Sequence, residues 1–215
     1  MKHYSLEDLN ELPSRHRAHF INSCTGYKSA NLLGTVSKDG LTNVAIFSSV
    51  IHLGSNPPLL GFILRPTSVA RNTYDNLKKT GIFTVNHVNT DVVRAAHQTS
   101  AKYDGELSEF DEVDLHTEFL DDFKAPYVQE SKIKLGCAYT NEYYIEENKC
   151  LFIIGAIKHI YLDDGIQQKD GWLDLEAAKT VSINGLDGYA LPQFIERLSY
   201  AKPEKDIKEI PKDGA

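Results

Sequence analysis

The chain has 215 residues, of which 41% are hydrophobic and 25% charged, and a formal net charge of −7. That balance belongs to a globular protein able to bury a sizeable core, and it argues against disorder and against a membrane span. The acidic balance also disfavours non-specific attraction to nucleic acid or anionic lipid, while leaving room for one local basic pocket.

Cys24, Cys137 and Cys150 form no CxxC pair, so neither a disulfide framework nor a zinc ribbon is indicated. The opening MKHYSLEDLNEL lacks the apolar core of a signal peptide. A cytoplasmic location is expected, with reduced thiols and neither nucleic acid nor membrane as partner.

In chain order, Ser5 stands three residues before Asp8 in a capping-box pattern, and Leu6, Leu9 and Leu12 lie near helical spacing, which predicts a short N-terminal helix. NLLGTVSK from Asn31 reads as a strand and Asp39-Gly40 as a hairpin turn. LTNVAIFSSVIHL then resumes the strand pattern. Pro57 and Pro58 cannot donate ladder hydrogen bonds, so the junction before PLLGFIL is expected at an edge or turn. Ser68 to Lys79 is the strongest helix, with Ser68 as N-cap, Val69, Thr73, Asn76 and Leu77 on one face, a basic last turn and Gly81 as its stop.

IFTVNHV reads as a buried strand and DVVRAAHQ as a short helix. Between Thr99 and Gln129 the chain is polar and acidic, and loops with one helical turn are expected. KIKLGCAYTNEYYIE and KCLFIIGAIKHIYLD flank Glu147-Asn148 and should pair as a hairpin. LDLEAAK after Trp172 suits a helix, SINGLDGYAL a loop, and the charged end AKPEKDIKEIPKDGA an extended or frayed tail. One domain of roughly six to eight strands with a few helices follows, closed into a barrel so that few edges stay exposed.

The chemistry concentrates between Asn43 and Asn86. A phosphate ester needs cations, hydroxyls and free N–H groups around one point, and Arg65, Ser68, Arg71 and Thr73 lie within nine residues at a predicted helix N-terminus. Taken singly, each has a bland reading: a serine that only caps, arginines that are solvated, a threonine that packs. No GxGxxG follows a strand and no GxxxxGK[ST] occurs. His16 and His19 share a possible helix face without a nearby cysteine or carboxylate, so no metal is expected there. His87 and His97 lie near this region and each also reads as a surface or core histidine. Cys137, inside a predicted strand, reads as a small core residue, and no catalytic acid, base or triad emerges.

The order of these residues resembles the flavin reductase-like FMN-binding split-barrel family. Its strand motif N-[LV]-A-P-[FY]-S becomes Asn43-Val44-Ala45-Ile46-Phe47-Ser48, and D-P-P-L becomes Asn56-Pro57-Pro58-Leu59. K-D-T-x-x-N-[IL] becomes Arg71 to Leu77, and G-x-F-x-V-N becomes Gly81 to Asn86. Ile46 stands where the family has proline, Asn72 where it has aspartate and Arg71 where it has lysine. The likeness spans about Leu32 to Ile160.

The resemblance implies a mainly β protein with peripheral helices (α+β), an FMN-binding split β-barrel over residues 31–190. Residues 1–30 would be a helical extension and 191–215 a C-terminal one. It also implies that Asn43, Val44, Ala45, Phe47, Ser48 and Ser49 lie beside the isoalloxazine ring, while Ser68, Arg71 and Thr73 hold the phosphate, to which the local charge reading adds Arg65. The activity implied is hydride transfer from NADH or NADPH to flavin, then electron transfer to a small-molecule acceptor or a partner oxygenase. A homodimer with flavin at the subunit boundary is expected, and Tyr139, Tyr143 and Tyr144 offer aromatic surface of the kind found at interfaces. Two alternatives stand beside it: a non-catalytic flavin-binding protein of the same fold, and a pyridoxamine-phosphate-oxidase-like enzyme.

Overall fold

The computed structural model describes residues 1–68, 71–104 and 106–214. Two helices open the chain, α1 (Leu6–Glu11) and α2 (Ser14–Cys24). Ser5 caps α1 as expected, its hydroxyl accepting from the Asp8 N–H while the Asp8 carboxylate accepts from the Ser5 N–H at 2.7 Å. There follow β1 (Lys28–Ser29), β2 (Asn31–Val36), β3 (Thr42–Phe47), β4 (Ile51–Ser55) and β5 (Pro58–Leu64). Next come α3 (Asn72–Thr80), β6 (Ile82–His87), α4 (Val93–Gln98) and α5 (Glu109–Glu112). A short pair, β7 (Thr117–Glu118) and β8 (Tyr127–Val128), precedes the long hairpin β9 (Ile133–Ile145) and β10 (Cys150–Leu162). Two further short pairs, β11 (Ser182–Asn184) with β12 (Gly188–Ala190) and β13 (Arg197–Leu198) with β14 (Glu209–Ile210), complete the chain.

Seven strands make one antiparallel sheet in the order β3-β2-β6-β9-β10-β5-β4. The continuous run predicted from Leu41 to Leu53 is therefore two strands at opposite ends of that sheet. Residues 48–50 leave the ladder and carry the chain from one edge to the other, curling the sheet into a split barrel. The Ser49 hydroxyl accepts from the Ile63 N–H at 3.0 Å and donates to the Ile63 carbonyl at 3.3 Å, joining the crossing to β5.

Strand alternation divides the apolar residues between two cores. Leu33, Phe62, Phe83, Val85, Cys137 and Ile153 point into the barrel, and Leu77 of α3 is buried with them. Leu32, Val44 and Val88 point the other way, against Ala96, Phe110 and Val128. Burial on both faces explains why β2 reads as an almost unbroken apolar run. On β6 the residues between Phe83 and Val85 and beyond are polar, because they hold a loop: Thr84 donates to the Pro126 carbonyl at 2.6 Å, and Asn86 accepts from the Val128 N–H at 3.1 Å. That loop passes so close that a Cβ on Gly34 would lie 2.2 Å from the Pro126 oxygen.

Four expectations are corrected. The helix begins at Asn72, not Ser68: Arg71 is its extended N-cap (φ −134, ψ 96), and Thr67 and Ser68 lie in a turn before it. Val69, assigned to the helix face, lies outside the described residues. The glycine stop is as expected, with Gly81 in the left-handed region at φ 74. LDLEAAK is a series of turns, in which the Asp174 carboxylate takes the Ala177 N–H at 3.0 Å and so competes with a helical ladder. SINGLDGYAL is a hairpin, and its first strand pairs with β1. The C-terminal segment is tied down as well: Arg197 pairs with Asp170 and sits 4.7 Å from the Trp172 ring centre, and Lys212 lies 2.9 Å from both Asp174 and Glu176.

Candidate functional site

The start of α3 packs against the start of β3. Asn43, 3% exposed, and Thr73, 7% exposed, meet there with the Asn43 amide 3.2 Å from the Thr73 hydroxyl. One turn on, Asn76 donates to Thr35 of β2 at 3.2 Å, fixing the helix across the end of the barrel. Among the described residues no side-chain hydrogen bond caps α3 at its N-cap, Arg71. The Arg71 Nε is buried and has no hydrogen-bond partner among the described residues. Arg65 and Ser68 are exposed on the loop leading to it. Of the four residues expected around a phosphate, the structure thus brings Arg71 and Thr73 to a buried helix start and leaves Arg65 and Ser68 at the surface before it.

The strand residues divide differently. Val44 is fully buried in the outer core, and Phe47 packs edge-on to Phe62 with ring centres 5.3 Å apart. Ala45 and Ser48 are half-buried, and the Ser49 hydroxyl is engaged by Ile63. On β3, an edge strand of the sheet, the Val44 N–H donates to Glu109 Oε2 at 3.3 Å and the Ile46 N–H to Thr99 Oγ1 at 3.0 Å. These two backbone donors, expected beside a ring, are occupied by side chains from the polar segment after α4.

Glu109 and Thr99 are the residues that sequence reasoning missed. Nothing in the acidic stretch singles out Glu109 among its neighbours. The structure does so by seating Phe110 in the outer core and bonding Ser108 to Thr42 at 2.9 Å, which turns Glu109 toward β3. Burial pushes its carboxyl above the ordinary carboxylate range, against the pull of the backbone N–H groups of Glu109 and Val44.

A second feature is a cavity of about 230 Å³ beside the crossing segment, lined by Asn31, Val50, Leu60, Val85, His87 and Leu135 among others. The His87 Nδ1 is buried without a partner among the described residues, and burial lowers the imidazole to about 4, so it is neutral at pH 7. Cys137 is buried and its thiol is pushed up to about 12, which makes it an inert core residue. His16 and His19 line an open groove on α2 with Phe20 and Ser23. Among the described residues no cluster of three or more His, Cys, Asp or Glu could hold a metal.

Residues 25–177 match the family model of the flavin reductase like domain. The chain belongs to the flavin reductase-like family. A candidate flavin reductase with a split barrel domain from Shewanella frigidimarina has a solved structure that superposes with a TM-score of 0.91 at 48% identity, covering 94% of this chain and all of that one. An uncharacterised protein of Halalkalibacterium halodurans is 31% identical over 175 residues, 79% of this chain and 82% of its own length. Nitrilotriacetate monooxygenase component B from Bacillus cereus shares the fold at a TM-score of 0.80 and 21% identity, covering 92% of this chain and 98% of that one. The flavin reductase-like match runs from just before β1 to the turns preceding β11, and so takes in the whole seven-stranded sheet and both features described above. No helix among the described residues is long and apolar enough to cross a membrane.

Proposed function

We propose that the protein binds FMN and transfers electrons from NADH or NADPH through it to a small-molecule acceptor or a partner oxygenase. The observation that carries this reading is the start of α3. A buried guanidinium nitrogen without a partner costs free energy unless something fills the place beside it, and a phosphate oxygen is a matching acceptor. The uncapped helix start adds a favourable dipole and N–H donors, so the residues present fit a phosphorylated flavin better than riboflavin.

In this reading Arg71 holds the phosphate, Thr73 contributes its hydroxyl, and Arg65 and Ser68 close over it from the exposed loop. Because the outward N–H groups of Val44 and Ile46 are already bonded, polar contacts from this strand to the ring fall to Ser48 and the backbone of the crossing segment. FMN, when bound, supplies the hydride-accepting and electron-donating chemistry, so the chain needs no acid or base of its own beyond groups that bind and orient. A homodimer belongs to the same proposal. Ile51 and Leu53 on edge strand β4 and Tyr143 and Tyr144 on β9 are large exposed side chains that a second copy would cover.

The test is anaerobic mixing of the FMN-loaded protein with NADH and with NADPH while the flavin absorbance is followed. Bleaching by either nucleotide is the expected result. An FMN complex that neither nucleotide bleaches would reduce the function to flavin binding, and failure to bind FMN in preference to riboflavin would remove the phosphate site itself.

A further inference from the structure

On the phosphate-site reading just given, we infer that Glu109 is a positioning residue whose proton governs that site: binding of phosphate beside Thr73 is coupled to proton uptake by Glu109, and the Asn43 amide carries the coupling. The buried amide lies between two groups of different kind, the Thr73 hydroxyl at 3.2 Å and Glu109 Oε2 at 3.1 Å.

With Glu109 ionised, only one orientation satisfies both neighbours. The Asn43 NH2 donates to the carboxylate, and its oxygen accepts from the Thr73 hydroxyl and from the Val44 N–H, each at 3.2 Å. The Thr73 proton is then directed at Asn43. The hydroxyl offers lone pairs, not a proton, to a ligand at the helix start, where a phosphate wants donors. With Glu109 protonated, the carboxyl becomes a donor to the Asn43 oxygen, the amide turns over, and its NH2 donates to Thr73 at 3.2 Å. That frees the Thr73 proton for phosphate. The same protonation removes a negative charge from the surroundings of an incoming dianion.

The carboxyl is suited to this role because burial already favours its neutral form. The groups facing it from β3, the Asn43 amide and the Val44 N–H, carry no charge, and neither does Thr73 on α3. On α5 itself Asp111 and Glu112 are exposed. The nearest cation in sequence to Thr73 is Arg71, which the phosphate would engage. The polar segment after α4, which the family motifs do not include, thereby acquires a function: it supplies a carboxyl in contact with the Asn43–Thr73 pair.

The experiment is titration calorimetry of the full chain with FMN and with riboflavin at about pH 6.5, in buffers of different ionisation enthalpy, so that protons taken up are read directly. FMN carries its own phosphate titration near pH 6, which releases protons on binding as the dianion, opposite in sign to the effect sought. Net uptake with FMN, none with riboflavin, and loss of that uptake in Glu109→Gln are expected. Glu109→Gln should also bind FMN about 3- to 10-fold more tightly than the native chain at neutral pH, with riboflavin affinity unchanged in both. Equal uptake in Glu109→Gln or uptake retained in Asn43→Ala would overturn the coupling, and where a variant fails to fold, so would native release no smaller than FMN's own phosphate titration supplies at that pH. Equal affinity for FMN and riboflavin would instead remove the phosphate site on which the coupling rests, a different failure with a different reading.

Discussion

One hydroxyl, that of Ser49, takes both backbone groups of Ile63, accepting its N–H at 3.0 Å and donating to its carbonyl at 3.3 Å. The contact does for the crossing segment what a ladder pair does within a sheet. It holds the chain where residues 48–50 bridge the two ends of the seven-stranded sheet. Ser49→Ala would leave an N–H and a carbonyl on β5 part-buried and unpaired, and should destabilise the protein by about 1–3 kcal/mol, with Ser49→Thr recovering most of the loss. Urea unfolding measures this directly; an alanine variant within about 0.5 kcal/mol of the native chain, the range of neutral surface substitutions, would show that the crossing does not need the bond.

The site at the start of α3 makes a differential prediction. Arg71→Ala should weaken FMN binding by about 1.5–3 kcal/mol, the scale of a hydrogen bond to a charged group, and Thr73→Val by about 0.5–1.5 kcal/mol. Riboflavin, which lacks the phosphate, should bind both variants almost as it binds the native chain. Parallel loss of both ligands would point to a folding defect in α3, since Thr73 is buried against Asn43.

Acid should destabilise the protein through His87. Its imidazole titrates at about 4 in the folded chain against an ordinary value of 6.5, because the charged form is disfavoured by burial. The unfolded chain therefore takes up this proton first as pH falls. Stability from His87 is fully present above about pH 6.5 and is lost on the way down through about pH 4, by up to about 3 kcal/mol. His87→Gln should flatten the stability curve across that interval. A variant whose curve keeps the native slope there would assign the acid sensitivity to other groups.

Light scattering with FMN bound tests the proposed homodimer. A mass near twice the 24.1 kDa of the chain is expected at micromolar concentration. If Ile51 and Leu53 on the β4 edge belong to the contact, Leu53→Lys should shift the population toward monomer and weaken FMN binding with it, because a charge cannot be buried there unpaired. A monomer that holds FMN fully would exclude a shared site.

Much of the architecture was legible in the sequence because it is local. The Ser5 capping box, the Asp39-Gly40 turn, the Gly81 stop and the long hairpin around Glu147-Asn148 each depend on a few neighbouring residues whose conformational preferences are strong, and each forms as expected. The prolines at 57 and 58 likewise mark the turn between β4 and β5. The family motifs of the Asn43 to Asn86 region lie within the residues that the family model matches.

What only the tertiary structure decided is how distant segments use one another. A strand pattern from Leu41 to Leu53 carries no record that the chain must change edges at Ser48, because both halves are equally good strands and the break is set by barrel closure. The helix starts at Asn72 and not at Ser68 because Arg71 is held extended at its N-cap position, which no local capping preference reveals. Glu109 is one carboxylate in an acidic stretch until Phe110 enters the outer core and Ser108 bonds to Thr42; packing over a separation of 66 residues then brings it against Asn43, and through Asn43 to Thr73. Residue type and spacing determined which chemistry the chain can offer. Long-range packing determined which of those groups are buried, which are already bonded, and which remain free to meet a ligand.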